Sequence, residues 1–474
     1  MATTNTLKPL LDRKSWEMCN PCPTSSTTGM FVIADPTGTD KDAMFVTSVA
    51  LQYLYDHNQD GFVELPTSGI AGTFAAGACG TFHPVGPNGT ASAGTTTTLT
   101  TTLTIPRDLA GFTVRITGGT NAGQTFTIAS NTFGANAVLT FTGAAGSPFD
   151  NTSVYTIMSG RYWFFNAGTV AVGFKYWDRA TNAWSAAKSV TNLPTAWATN
   201  GALIATPSTA GAFATGTATA GSTTTLTNSG KAWTVNQWTN YQVRITAGAG
   251  AGKVATITSN TATVLSFANI GATLDNTSVY SIEGNDDNLY LLGNAAVTMY
   301  KYSISGDTWA VMAPTTARAA APGAGMGANW IAQATDTRYT TENTIQNGRY
   351  IYSFRGGATG NLDYFDIAGG TAGAGAWTNL ALAYGNAAAT FTLGSSFATD
   401  TNYIYASKDA TGRCFRYDVP NQTILPFNHL LYPDSTAIEG VKLWVKNYVD
   451  GGTTLKWVYR WSNTGQQLLR CLVI

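Results

Sequence analysis

The chain is poor in charge. Lys, Arg, Asp and Glu make up 11% of its 474 residues, against about 25% in an ordinary soluble domain. Twenty-six basic residues balance 26 acidic ones. Nucleic-acid binding draws on a basic field and membrane-surface binding on a polybasic strip, so neither a nucleic-acid partner nor a membrane one is expected. Zero net charge also weakens colloidal repulsion, which suits a protein that lives inside an assembly. No stretch approaches the roughly 18 apolar residues of a membrane span, so no membrane insertion is expected. The opening Met1 to Pro9 has no hydrophobic signal core, which points to synthesis in a cytosol without export by the general secretory route. Helical periodicity is nearly absent. The nearest candidate, Thr436 to Tyr448, alternates at Val441, Leu443 and Val445 and reads as a strand.

What the chain has in quantity is glycine (50 residues) and aromatics (12%). With abundant Thr, Ala and Ser, the glycines indicate many tight turns between strands, and the aromatics supply core area. Leu289 to Met312 shows the recurring unit. It holds an apolar run ending in Gly293, an alternating run around Tyr300 and Tyr302, a polar turn, and a short strand carrying Trp309.

Six such units are expected. The first spans Gly29 to Pro66. The second begins near Thr73 to Pro84 and resumes at Arg161, ending in the strand of Trp184. The third begins at Gly201 to Thr206 and resumes at Leu289. The fourth runs from Ala328 to Leu380, the fifth from about Ser395 to Pro426, with Ile424 where a Trp is expected, and the sixth from Val441 to Val473. The sixth lacks an outer strand, while the N-terminus has a spare one at Trp16. A ring therefore closes if Trp16 to Cys22 lies beside Gln467 to Ile474, which ties down both termini and removes a free sheet edge. That places Cys19 and Cys471 on neighbouring strands, where a disulfide is conceivable but geometrically demanding. Otherwise the five cysteines read as reduced, partly buried thiols. These units resemble kelch-type propeller repeats, and the resemblance implies an all-β, six-bladed propeller.

Two long segments match each other. Gly89 and Gly216 open them, Val114-Arg-Ile-Thr and Val243-Arg-Ile-Thr sit inside, and Asp150-Asn-Thr-Ser-Val-Tyr and Asp275-Asn-Thr-Ser-Val-Tyr close them. The spacings are 127, 129 and 125 residues, the mark of an internal duplication. Each copy reads as five or six short strands with Gly-rich turns, enough for a small sandwich or barrel. The expected division is propeller at 10–88, 159–215 and 284–474, with inserted modules at 89–158 and 216–283. The modules leave from the same strand junction of adjacent blades, close enough to touch each other or a neighbouring subunit.

The modules resemble a small β-domain of virion structural proteins in tailed bacteriophages. The second copy carries every feature, including Trp233-Thr-Val-Asn-Gln-Trp238. The first has Ile105-Pro-Arg-Asp-Leu109 there instead. The resemblance implies a non-enzymatic virion component, assembled in the host cytoplasm, with other virion proteins as partners and a homo-oligomer or symmetric array in the particle. A second expectation is a receptor-binding protein that recognises a host surface glycan.

No catalytic, cofactor or metal site is expected. His57, His83 and His429 fall in different units, which does not suit a copper radical site, and read as solvated or capping residues. Cys19 and Cys22 have metal-pair spacing but no further ligands nearby in sequence. Ser303 to Trp309 only imitates a sialidase Asp-box, and Asp307 reads as a turn residue bonding its own backbone. Gly248 to Gly252 precedes a strand, not a helix, so it is no phosphate cradle. Trp184, Trp309 and Trp377 recur at equivalent positions and read as packing. The candidate contact or ligand surface is therefore Trp233, Trp238, Tyr241, Arg244 and Arg115 of the modules.

Overall fold

A computed structural model describes residues 17–20, 31–35, 41–46, 52–66, 77–166, 168–169, 173–197, 201–206, 213–323, 326–330, 349–357, 359–380, 396–399, 403–407, 414–419, 423–427, 443–450, 453–462 and 467–473. Blade 3 shows how the sequence pattern becomes architecture. Its second strand, Asn288–Gly293, is buried at every position. Its third, Met299–Ser303, buries Met299, Tyr300 and Tyr302 and leaves Lys301 half-buried. Its outer strand, Thr308–Val311, buries only Trp309. Continuous apolar runs make the middle of each blade because both faces are covered. Alternation returns toward the rim, where one face meets water.

The fold is an all-β, six-bladed propeller of four-stranded antiparallel sheets. The blades begin with Phe31–Ala34, Cys79–His83, Gly201–Ala205, Gly327–Trp330, Ser396–Thr399 and Leu443–Asp450. These innermost strands touch in that order, and the sixth touches the first. The one helical element among the described residues is a three-residue turn, Thr371–Gly373.

The ring closes as the spare strand suggests. Glu17–Cys19 runs antiparallel to Gln467–Val473 and completes blade 6. Further bonds cross the junction. Asn20 N donates to Asp60 at 3.1 Å, and Trp444 Nε1 donates to His57 Nε2 at 2.8 Å. Trp16, Cys22 and His429 lie outside the described residues. Cys19 and Cys471 are buried thiols and form no disulfide. Cys19 stands opposite Leu468, three residues along the strand from Cys471. That offset is about 10 Å, beyond the roughly 7 Å Cα limit for a bridge.

The recurrent tryptophans staple blades together. Trp184 Nε1 donates to Pro66 O at 3.0 Å, and Trp309 Nε1 to Ser189 O at 2.9 Å. Each acceptor follows the outer strand of the preceding blade. A second device sits in the turn before the outer strand. Tyr55 donates to Asp60 and Tyr302 to Asp307, with both aspartates at positive φ. Asp307 then accepts Ser189 N at 2.9 Å, as Asp60 accepts Asn20 N. Asp307 therefore reaches a neighbouring blade and not its own backbone, and the closing junction copies an ordinary one. In blade 5, half-buried Ile424 packs into the core. His57 is not solvated. It is 7% exposed, with Nδ1 2.6 Å from Lys41 O and Nε2 capped by Trp444. Since Nε2 accepts, Nδ1 carries the proton.

Two seven-stranded sheets complete the fold. In chain order the first has strands Asn88–Thr90, Ala93–Gly94, Thr98–Thr100, Thr113–Gly118, Thr125–Asn131, Val138–Phe141 and Val154–Ile157. The second has Ala214–Thr217, Ala220–Gly221, Thr225–Thr227, Gln242–Ala247, Val254–Asn260, Val264–Phe267 and Val279–Glu283. Both have the spatial order 1-7-4-5-6-3-2. Strands 1 and 2 are the two sheet edges yet only two residues apart in the chain, so each sheet curls until its edges meet. Seven strands replace the expected five or six because the two-residue strand carries no readable periodicity.

The closing motif has a local cause. Asp150 Oδ1 accepts Thr152 N at 2.9 Å and Thr152 Oγ1 at 2.6 Å, and Asp275 does the same with Thr277 at 2.7 and 2.6 Å. The carbonyl oxygens of Thr152 and Thr277 press onto Gly119 and Gly248, where any Cβ would overlap them. Both glycines also have positive φ, so no other residue fits there without strain.

Candidate functional site: the cleft between the two curled sheets

The two curled sheets sit on the face where the first strand of each blade ends and its second begins. The turns before the outer strands lie on the same face and serve as mounts. Arg179, in the blade 2 turn, is 2% exposed. It pairs with Asp42 of blade 1 at 2.9 Å, and its guanidinium lies 5.3 Å from the Phe112 ring of the first curled sheet. Arg107 of that sheet lies 5.1 Å over Trp177. The second curled sheet rests on blade 4. Asn240 Nδ2 lies 2.7 Å from both Ile367 O and Gly373 O.

The two sheets meet each other by equivalent residues. A Cβ on Gly252 would lie 2.6 Å from Thr117 O, and a Cβ on Gly123 would overlap Thr246 O. Thr117 and Gly123 are the counterparts of Thr246 and Gly252 at the 129-residue spacing, so the contact is reciprocal, like an isologous dimer interface within one chain. The Gly-rich turns are thus seats for a facing backbone as well as turns.

Beside this seam, Arg115 and Arg244 converge. They are counterparts, one from each sheet. Arg115 Nη1 lies 3.4 Å from Glu283 Oε2 and 3.7 Å from Asp286 Oδ2. Arg244 Nε lies 3.1 Å from the same Glu283 oxygen, and its Nη2 3.4 Å from Asp286 Oδ2. Burial, and then the Arg244 charge, lowers the Arg115 pKa, while Glu283 and Asp286 oppose the shift. The symmetry breaks at one position. Glu283 pairs with Gln242, and its counterpart in the first sheet is Met158, whose amide bonds Thr113 O. One acidic pair therefore serves two arginines.

A cleft of about 470 Å³ opens along this seam. Four cations line it (Arg115, Arg161, Arg244 and Lys253), against two carboxylates, Asp286 and Asp287. Arg161 Nε is committed to Asp178 at 2.9 Å. Asp287 holds the blade 3 turn by accepting Ser303 Oγ at 2.7 Å and Ser305 N at 2.6 Å. His83, the last residue of the blade 2 inner strand, also lines the cleft. It is 1% exposed, and its Nε2 has no hydrogen-bond partner. Burial pushes its pKa down to about 4, with Asp286 opposing, so the imidazole is neutral at physiological pH. Among the described residues no group of three His, Cys, Asp or Glu could hold a metal ion.

Of the residues the sequence singles out, Arg115 and Arg244 come together here. Trp233, Trp238 and Tyr241 do not. They are 4%, 2% and 4% exposed and form the core of the second curled sheet, which places them inside it and not on a contact surface. The first sheet explains why. Leu109 N and Trp238 N bond the equivalent Asn131 and Asn260 side chains at 2.7 and 2.9 Å. Ile105 and Leu109, both fully buried, therefore fill the positions of Trp233 and Trp238. The tryptophans are large core residues that two smaller ones replace in the other copy. His83, Glu283, Asp286 and Lys253 escape a sequence reading. The one available signal was the mismatch of Glu283 with Met158 between the two copies.

No protein-family model and no curated protein matches the chain. Among solved structures the chain is similar to the computationally designed Ika8 protein, at 8% identity over 96% of this chain and 100% of that one, with a TM-score of 0.32. It is also similar to two proteins of Bacteroides thetaiotaomicron. One is of unknown function, at 10% identity over 81% of this chain and 84% of that one, TM-score 0.21. The other is an auxiliary nutrient binding protein, at 9% identity over 81% and 96%, TM-score 0.24.

Proposed function

We propose that this protein is a non-enzymatic structural component of a tailed-bacteriophage virion. The propeller is the platform, and the two curled sheets are inserted modules that act together as one rigid contact arm toward other virion proteins. The observation that carries this reading is the reciprocal seating of Gly123 and Gly252 on the facing Thr246 and Thr117 carbonyls, with Arg115 and Arg244 sharing Glu283. Two small units tied to each other and to blades 2 and 4 hold a fixed geometry, which a symmetric assembly requires of its parts. The low charge and zero net charge fit a chain whose neighbours are other proteins. Electron cryo-microscopy of purified particles of the encoding phage tests this. The expected result is density for the propeller at a copy number set by the particle symmetry, with the paired modules at a subunit contact. Absence of the protein from purified particles overturns it.

A further inference from the structure

The cleft along the seam is built for more than adhesion between its walls. We propose that it binds an acidic saccharide, a sugar carrying a carboxylate beside free hydroxyls. This does not depend on the scaffold reading, since a virion part and a soluble lectin could each carry such a site.

At about 470 Å³ the cleft falls within the range of about 300–1,000 Å³ usual for small-ligand sites. Glu283 and Asp178 behind the wall, with Asp286 and Asp287, balance its four cations, but not all of the cations' donors are engaged. Lys253 is exposed at the rim and makes no ion pair among the described residues. Arg115 engages its acids through Nη1 alone, so further N–H groups of its fork remain for a guest carboxylate. On the other side, the Asp286 and Asp287 carboxylates offer acceptors. Met158 and Ile304 add apolar surface between these groups.

This mixture discriminates between ligand classes. Two aspartates repel a doubly charged phosphate group but accept hydrogen bonds from hydroxyls. No Phe, Tyr or Trp side chain lines the cleft, which leaves no broad platform for a nucleobase. Carboxylates carried one to a sugar ring, with hydroxyls around them, meet both the cationic and the acceptor walls.

The test uses the full chain, with digalacturonate as probe and digalactose, acetate and inorganic phosphate as controls, read by calorimetry. Digalacturonate is expected to bind, with each control weaker by about tenfold or more, the effect of one charge-assisted contact. Lys253→Glu, at an exposed position, is expected to keep the wild-type thermal transition and weaken binding by at least about tenfold. Should that variant fold poorly, acylation of Lys253 in the wild type followed by peptide mass spectrometry replaces it, and digalacturonate is expected to protect the amine. The proposal fails if no binding appears at millimolar probe, if digalactose, acetate or phosphate binds as well, or if Lys253→Glu binds unchanged or Lys253 stays unprotected.

Discussion

Arg115 Nη1 and Arg244 Nε lie 3.4 and 3.1 Å from the same atom, Oε2 of Glu283. The two arginines hold the same position in two copies of one strand, so the two sheets meet at Glu283, a carboxylate that only one of them supplies, with Asp286 beside it. Glu283→Gln removes that charge from a site where all three side chains are at most 15% exposed. Breaking a buried pair by deleting one partner costs about 3–5 kcal/mol. Here Asp286 stays to serve both arginines, so a loss of about 2 kcal/mol is expected. Chemical denaturation measures it. Adding Met158→Glu to this variant gives Arg115 a carboxylate on its own side and is expected to recover part of the loss.

The seam also depends on two glycines. Gly252→Ala places a methyl group 2.6 Å from Thr117 O, at a residue with φ of 83°. Left-handed backbone alone costs an L-residue about 1–2 kcal/mol, and the overlap forces the units apart as well. Gly134→Ala is the control, because Gly134 has φ of 97° and nothing within 4 Å of its Cβ position. Hydrogen exchange should rise along Thr113–Gly118 and Gln242–Ala247 in Gly252→Ala and not in Gly134→Ala. Equal exchange in the two variants would show that the seam does not hold the units.

His83 gives the fold an acid sensitivity. Its native pKa of about 4 lies below the ordinary value of 6.5. As pH falls through 6.5, the unfolded chain takes up a proton that the native state refuses, so this contribution to stability is complete at pH 7 and declines toward pH 4. The shift corresponds to at most about 3 kcal/mol. Denaturation midpoints between pH 7 and 4.5 should fall more steeply in the wild type than in His83→Leu. Parallel profiles would remove His83 as the cause.

The blade tryptophans separate packing from hydrogen bonding. Trp309 donates to Ser189 O across a blade boundary, whereas Trp377 Nε1 is buried without a partner. Trp→Phe deletes a similar volume at both sites. Trp309→Phe is expected to cost about 1 kcal/mol more than Trp377→Phe, the usual net worth of one hydrogen bond. Equilibrium unfolding of the two variants reads the difference.

The local pattern of the chain was enough for the propeller. Runs such as Leu289 to Gly293 and alternation such as Tyr300-Lys-Tyr302 report which faces a strand buries. Six repeats with a spare strand before the first fix both the blade count and the closure. The duplication was equally plain, because matched motifs at a near-constant spacing need no tertiary information. What lay beyond the sequence was which surfaces meet. Trp233 and Trp238 look available in a linear reading, yet a curled sheet turns them inward. Arg115 and Glu283 are 168 residues apart, and nothing local marks them as partners. Hydrophobic periodicity records whether a side chain faces a core. Only the closed ring, by setting two adjacent blades side by side, decides that Gly123 faces Thr246, that two arginines share one acid, and that His83 opens onto a cleft.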